Sequence, residues 1–203
     1  MPARQRRAVL LTWAYLAAIP VAAAAGPAAS SASGVHPTGC LANGNGFLRA
    51  RIRGALNLDI DWKNAELECE GSPRPNGHGI RLSFAGPKHS DGRRLRMIFG
   101  VATTAEGADG RALPTNLTVI FEGEQRLFST LGEDHCTVDQ LHEERVGALG
   151  PAARSYRVVA RGFCTEPATA VGRNDRILVS RFDFAGRVSF ETEPPQSLSE
   201  HPL

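Results

Sequence analysis

Apolar and charged side chains alternate between Leu48 and Trp62, and this pattern constrains the fold more than any other feature of the chain. A period of two is typical of a half-buried β-strand. Gly54 interrupts the run and favours a hairpin, because glycine tolerates the left-handed backbone that short hairpin loops need. One long strand bent at Gly54 would keep the same alternation, but it would be unusually long.

A loop over residues 54–56 predicts a specific register for this hairpin. One face of the pair is then apolar, and the other carries opposite charges that face each other. The predicted cross-strand pairs are Leu48–Trp62, Ala50–Ile60, Ile52–Leu58, Arg49–Asp61 and Arg51–Asp59.

The next segment, residues 65–70, is predicted to fold back along the second strand of the hairpin after a turn at Lys63 and Asn64. Pairing Trp62 with Ala65 would point Cys69 into the core. The same register sets Glu66 and Glu68 against Asp61 and Asp59, which is unfavourable for like charges unless neighbouring arginines offset it.

Short alternating segments continue to the end of the chain, separated by turns rich in Gly, Pro and Asn. Only Val138–Val146 has a partial apolar stripe at helical spacing. We therefore expect an all-β fold, an antiparallel β-sandwich or barrel of about ten short strands with at most one short helix. The later predicted strands are Ile80–Phe84, Leu95–Val101, Leu117–Phe121, Gln125–Thr130, Tyr156–Phe163, Ile177–Phe184 and Arg187–Phe190.

The first 25 residues have the pattern of a secretory signal peptide. Arg4, Arg6 and Arg7 precede an apolar stretch, and Ala23 and Ala25 supply small residues before a predicted cleavage site. An uncleaved membrane anchor and a lipidation site at Cys40 are the alternatives. Cleavage predicts a periplasmic or secreted protein, with a Gram-negative bacterium as the expected source, and the Ala, Arg and Gly content fits a GC-rich bacterial genome.

The rest of the chain is predicted to form one domain. Residues 26–38 are expected to be a flexible lead-in, residues 39–191 a single disulfide-bonded β-domain, and residues 192–203 a disordered tail, with a long loop at 147–153. The net charge of the full chain is +2, but the leader holds three arginines and no acid. The mature protein is thus close to neutral, which argues against nucleic acid as a partner.

All four cysteines follow the leader, and an even number in an exported chain predicts two disulfides. Nearest-neighbour pairing suits successive strands that lie side by side, which favours Cys40–Cys69 and Cys136–Cys164. A zinc site is the alternative, although no pair has the close spacing of structural zinc ligands.

Four segments, residues 58–62, 69–75, 79–84 and 181–186, resemble an uncharacterised exported bacterial family. The resemblance spans most of the mature chain. It implies no activity, ligand or site residue.

Carboxylates on one β-face are the first candidate site. Asp59, Asp61, Glu66 and Glu68 would converge beside Arg49 and Arg51. Paired carboxylates are what glycoside hydrolysis requires, and they can also hold Ca²⁺. A solvated face whose charges pair laterally is the structural alternative.

Two further groups are candidates for binding. His135, Asp139 and His142 could hold a transition metal if the segment were helical, although no known motif matches their spacing. Arg93, Arg94 and Arg96 could contact an anionic glycan, a lipid headgroup or an acidic protein, or could be a charged strand edge that prevents aggregation. Arg49 and Arg51 are candidate binding residues as well.

No nucleophile elbow or phosphate-binding loop is present in the sequence. We therefore expect an exported, non-catalytic β-domain that binds an envelope protein or glycan, with no cofactor and no membrane span after cleavage. The alternatives are a hydrolase that acts on an envelope glycan through paired carboxylates, and a protein that binds Ca²⁺ or a transition metal.

Overall fold

The structure is a computed structural model that describes residues 39–148 and 153–191. The predicted signal peptide, lead-in and tail lie outside the described residues, as do the central four residues of the predicted 147–153 loop.

The described residues form eleven antiparallel strands and one 3-10 turn, without an α-helix, which confirms the predicted all-β class. Most strands arise where apolar residues alternate with polar ones. The strands are β1 (Phe47–Gly54), β2 (Leu58–Lys63), β3 (Glu68–Pro73), β4 (Ile80–Ala85), β5 (Arg94–Val101), β6 (Gly110–Glu122), β7 (Arg126–Ser129), β8 (Cys136–Ala148), β9 (Ala153–Cys164), β10 (Ala168–Ala170) and β11 (Arg176–Glu191), with the 3-10 turn at Asn64–Glu66.

The β1–β2 hairpin has the predicted register at all five pairs, from Leu48–Trp62 to Ile52–Leu58. Its loop is wider than predicted, because the β1–β2 pairing ends at Ile52. Residues beyond Ile52 continue β1 against β11 instead, and Gly54, with φ of 117°, pairs with Ile177.

The predicted β2–β3 pairing is wrong. The 3-10 turn at Asn64–Glu66 directs the chain away from β2, and β3 pairs with β4, which sets Cys69 opposite Phe84. Glu66 accepts a hydrogen bond from the backbone amide of Lys63 (2.8 Å), so its carboxylate closes the turn. This local hydrogen bond favours the turn over the predicted β2–β3 hairpin, and strand alternation does not reveal it.

The predicted helix at Val138–Val146 is also wrong, because the segment lies within β8. The register of β8 against β9 shifts at Asp139, where one extra residue forms a β-bulge. The bulge separates the buried residues Val138 and Leu141 by three positions. Within a strand, this spacing imitates the apolar stripe of a helix.

The sheet has the order β2–β1–β11, then β9 and β10, then β8 and β7, then β6–β5–β4–β3. Two positions of this order are each occupied by two strands in succession. β9 and β10 both lie along β11, and β8 and β7 both lie along β6. Cys136 and Cys164 are cross-strand partners at the point where both positions are interrupted.

The sheet folds over so that one face encloses the core. Phe84 of β4 lies 5.1 Å from Phe184 of β11, between ring centroids, and Phe99 lies 4.8 Å from Phe182. At Gly71 of β3, an added Cβ would lie 2.5 Å from the carbonyl oxygen of Arg187 on β11. The glycine therefore allows β3 to approach β11 closely.

Both predicted disulfides are confirmed, Cys40–Cys69 and Cys136–Cys164. Within the described part of the chain no cysteine is free. The structure also holds no helix there with the length and apolar character needed to cross a bilayer.

Candidate functional site

The solvent-exposed face of the sheet carries three adjoining depressions, with volumes of about 610, 500 and 210 Å³. The first and second share Arg161 and Asp183, and the second and third share Arg49 and Arg181. Together they form a continuous surface that crosses β6, β8, β9, β11, β1 and β2, which we call the outer groove. Its charged lining residues are Arg49, Arg51, Arg111, Arg161, Arg181, Asp59, Asp61, Asp109, Asp139, Asp183 and His142.

Two β-bulges shape the middle of the outer groove. Asp139 is the extra residue of β8, and Ser180 is the extra residue of β11. Each bulge places two consecutive side chains in solvent, Asp139 with Gln140 and Ser180 with Arg181. Bulges are frequent beside binding sites because they redirect side chains, and here both contribute to the second depression.

Opposite charges alternate along one row of the groove. Arg49 donates from Nε to Asp61 (3.2 Å) and from Nη1 to Asp183 (3.0 Å). These bonds raise the pKa of Arg49 and hold its guanidinium over the ring of Phe47, 4.7 Å from the centroid. On β9, Arg161 is the cross-strand neighbour of Asp183 on one side and of Gln140 on the other. The row ends at Arg111 of β6, which lies opposite Gln140.

Three arginines of the groove have no side-chain partner among the described residues: Arg111, Arg161 and Arg181. Arg181 lies directly opposite Arg51 across the β1–β11 pair. Like charges at opposed positions destabilise a sheet. The arrangement therefore opposes stability, which is a common feature of functional sites.

The acidic residues of the groove are mostly neutralised. The pKa of Asp59 is lowered chiefly by a hydrogen bond from Arg53, and that of Asp61 by one from Lys63. Asp109 contacts His142 Nδ1 at 2.7 Å. Asp139 is the one groove carboxylate without a partner in residues 39–148 and 153–191. Unpaired cations thus outnumber unpaired anions.

The segment that leads into β6 contributes Asp109 to the lining of the first depression. The carboxylate of Glu143, which is 7% exposed, accepts a hydrogen bond from the backbone amide of Gly107 (2.8 Å). Burial raises the pKa of Glu143, and the nearby acids Glu106 and Asp109 raise it further. Glu106 is held in turn by Arg154 and by the hydroxyl of Tyr156 (3.0 Å).

The four carboxylates predicted as a catalytic group are not on one pair of strands. Asp59 and Asp61 lie on β2, at one end of the sheet order, whereas Glu68 lies on β3 at the other end. Glu68 forms an ion pair with Arg94 (2.6 Å), and Glu66 closes the 3-10 turn. The expected convergence depended on the β2–β3 pairing, which does not occur.

The predicted basic cluster forms ion pairs. Arg94 and Arg96 both contact Glu122 of β6, and Arg93 bonds to Asp91 (2.7 Å) and Glu124 (3.1 Å). The charges of these three arginines are therefore compensated by acidic neighbours. Arg49 and Arg51, the other two predicted binding residues, lie in the groove.

The predicted metal-binding residues have separate surroundings. His142 bonds to Asp109, and His135 lies 3.5 Å from Glu166. Across the described ranges, no three His, Cys, Asp or Glu side chains are grouped so that they could hold a metal ion.

Sequence reasoning missed Arg111, Arg161 and Arg181. Alternation in the predicted strand 156–163 could place Arg161 in solvent. Arg181 follows Ser180, and alternation from Ile177 and Val179 would place it on the core face, because the bulge at Ser180 is not visible in the sequence. No local signal links these residues, which lie far apart in the chain. No protein-family model, curated protein or solved structure matches this chain, so its function must be inferred from the groove.

Proposed function

We propose that this protein is an exported, non-catalytic binding protein that holds an extended anionic ligand of the cell envelope in its outer groove. The observation that carries the proposal is the set of three unpaired arginines, Arg111, Arg161 and Arg181, along one continuous depression. Arginine binds carboxylate and phosphate groups through paired N–H donors.

The shape of the groove supports a polymeric ligand over a compact one. Six strands contribute to it, and neighbouring strands lie about 4.8 Å apart, so the groove is about 24 Å long. A small molecule would fill one depression and leave unpaired arginines in the others.

Export is supported by the two disulfides, since such bonds persist in oxidising compartments such as the periplasm or the extracellular space. The alternative of a glycan hydrolase is less well supported. A general acid needs a raised pKa, whereas neighbouring cations lower the pKa values of Asp59 and Asp61.

Binding of labelled polymers to the purified protein tests the proposal. The panel contains hyaluronan, polygalacturonate, polyglutamate and inorganic polyphosphate, with dextran as the neutral control. We expect at least one anionic polymer to bind, with an affinity that falls as salt is added. We also expect the length of the bound polymer to stay unchanged on incubation, since the protein is proposed to be non-catalytic.

The matched variants are Arg161→Gln, in the groove, and Arg176→Gln, an exposed arginine at the start of β11. Arg161→Gln should weaken binding by about tenfold, because it removes a charge-assisted contact. Arg176→Gln should bind like the wild type. Absence of binding to every anionic polymer at low salt would refute the proposal, as would equal weakening by the two variants.

A further inference from the structure

We infer that the ligand of the outer groove is an acidic glycan that carries a carboxylate on every second sugar. This inference rests on the proposed function and names the chemical class of its ligand. It follows from three properties of the groove, which are its mixed donors and acceptors, the spacing of its arginines and its apolar floor.

The outer groove has equal numbers of Arg and Asp side chains, five of each. A dense polyanion such as polyphosphate offers only acceptors, so it would leave Asp139, the groove carboxylate without a partner in the described residues, without a donor and would be repelled by it. Sugar hydroxyls both donate and accept hydrogen bonds. A sparsely charged glycan can therefore satisfy the aspartates through its hydroxyls and the arginines through its carboxylates.

The arginines of one row lie on alternate strands. Arg49 is on β1, Arg161 on β9 and Arg111 on β6, with Asp183 of β11 and Gln140 of β8 between them. Two strand spacings correspond to about 10 Å. This is the order of one disaccharide repeat in an extended glycan, so each sugar would cover about one strand.

The alternation also determines which sugars carry charge. A carboxylate on every sugar would place one against Asp183, and repulsion between like charges would weaken binding. A carboxylate on every second sugar would face Arg49, Arg161 and Arg111, while the neutral sugars would face Asp183 and Gln140.

The floor of the first depression is apolar where the neighbouring row crosses it. Phe47 of β1 and Val159 of β9 line the depression on either side of Ala185. Ligand sites combine such apolar surface with a few oriented polar groups. The C–H face of a sugar ring can lie against Phe47 while its substituents reach the row of charged groups.

The test compares oligosaccharides of equal length in calorimetric titrations of the purified protein. Hyaluronan oligomers carry a uronate on every second sugar, oligogalacturonates on every sugar, and isomaltooligosaccharides on none. We expect hyaluronan oligomers to bind about tenfold more tightly than oligogalacturonates, and the neutral oligomers not to bind. Affinity should rise from the disaccharide to the hexasaccharide and then level off, because six sugars at about one per strand fill the groove.

Three variants relate the preference to its residues. Arg161→Gln and Arg111→Gln should each weaken binding of the hyaluronan octasaccharide by about tenfold, and Arg176→Gln should leave it unchanged. Asp183→Asn should reduce the ratio between the affinities for the hyaluronan and the oligogalacturonate oligomers, because it removes the repulsion between Asp183 and the extra carboxylates of oligogalacturonate. An unchanged ratio of the two affinities in Asp183→Asn would overturn the assignment.

The outcomes separate this inference from the proposed function. If polyphosphate or polyglutamate binds through Arg161 and hyaluronan does not, the glycan is refuted while an anion-binding groove is retained. If oligogalacturonate binds as tightly as hyaluronan, the alternate spacing is refuted. If no anionic polymer binds, both proposals fail.

Discussion

The free charge of an arginine in this protein depends on the residue beside it on the next strand. Arg94 and Arg96 both contact Glu122, and Glu68 and Glu70 contact the same two arginines from β3, so their charges are compensated. Arg161, with Gln140 on one side and an aspartate already bound to Arg49 on the other, has no ion pair in the described structure. A cluster of arginines in the sequence is therefore a poor guide to unpaired charge, which depends on the cross-strand neighbours of each arginine.

Glu143 provides a residue-scale prediction about pH. Its pKa is raised in the folded protein, so its ionisation costs stability as the pH rises from its unfolded value through its folded value. Below the unfolded value, about 4.3, the carboxyl is neutral in both states and the cost is absent. The free energy of unfolding of Glu143→Gln, relative to that of the wild type, should therefore be higher at about pH 7 than at about pH 4.

Urea unfolding of both proteins at the two pH values measures this difference. The exposed neighbour Glu144 supplies the matched control, Glu144→Gln. If Glu143→Gln changes the free energy of unfolding by the same amount at both pH values, burial does not raise the pKa of Glu143.

At the scale of the element, bulges and interruptions determine which side chains line the groove. The bulge at Ser180 reverses the alternation within β11, so Ile177 and Val179 are buried before it and Phe182 and Phe184 after it. Without the extra residue, one of these apolar pairs would lie in solvent. The same bulge places Arg181 beside Arg51.

The Cys136–Cys164 disulfide lies where two positions of the sheet are interrupted. Replacing both cysteines by alanine should lower the free energy of unfolding by about 3 to 4 kcal/mol, since the bond closes a loop with a sequence separation of 28. Denaturant titration of the double variant measures the loss.

The double variant Cys40→Ala/Cys69→Ala is the matched comparison, because its bond has a separation of 29 and loop entropy predicts a similar loss. A loss below about 1 kcal/mol for Cys136→Ala/Cys164→Ala would show that hydrogen bonds alone keep the strand ends together at this interruption of the sheet.

At the scale of the whole described domain, stability depends on the close approach of β3 to β11. Gly71→Ala should destabilise the protein by about 2 kcal/mol, because the new Cβ would overlap the carbonyl oxygen of Arg187 and force the strands apart. Thermal or urea unfolding measures the effect.

Gly147 of β8 is the matched control, since no atom lies within 4 Å of a Cβ added there. Gly147→Ala should be close to neutral. If Gly71→Ala stays within about 0.5 kcal/mol of the wild type, the approach of β3 to β11 is not a tight contact.

Local patterns in the sequence determined the all-β class and the register of the β1–β2 hairpin, and they favoured the disulfide pairing that the structure shows among three possible ones. Alternation specifies register, because a shift by one residue would move a whole set of apolar side chains from the core into water. The same patterns did not predict the 3-10 turn at Asn64–Glu66 or the strand at Val138–Val146. A capping hydrogen bond at the turn and a β-bulge in the strand change the local backbone geometry, and neither leaves a signal in the alternation of apolar and polar residues.

Only the tertiary structure decided where the outer groove lies. Arg111, Arg161 and Arg181 belong to three strands, and their separation in the sequence does not reveal that they line one surface. Their proximity follows from long-range strand pairing, which depends on the enclosed core and the order of the sheet. Whether a charge is free or paired is decided by the same pairing, since the neighbour that could neutralise it is on another strand.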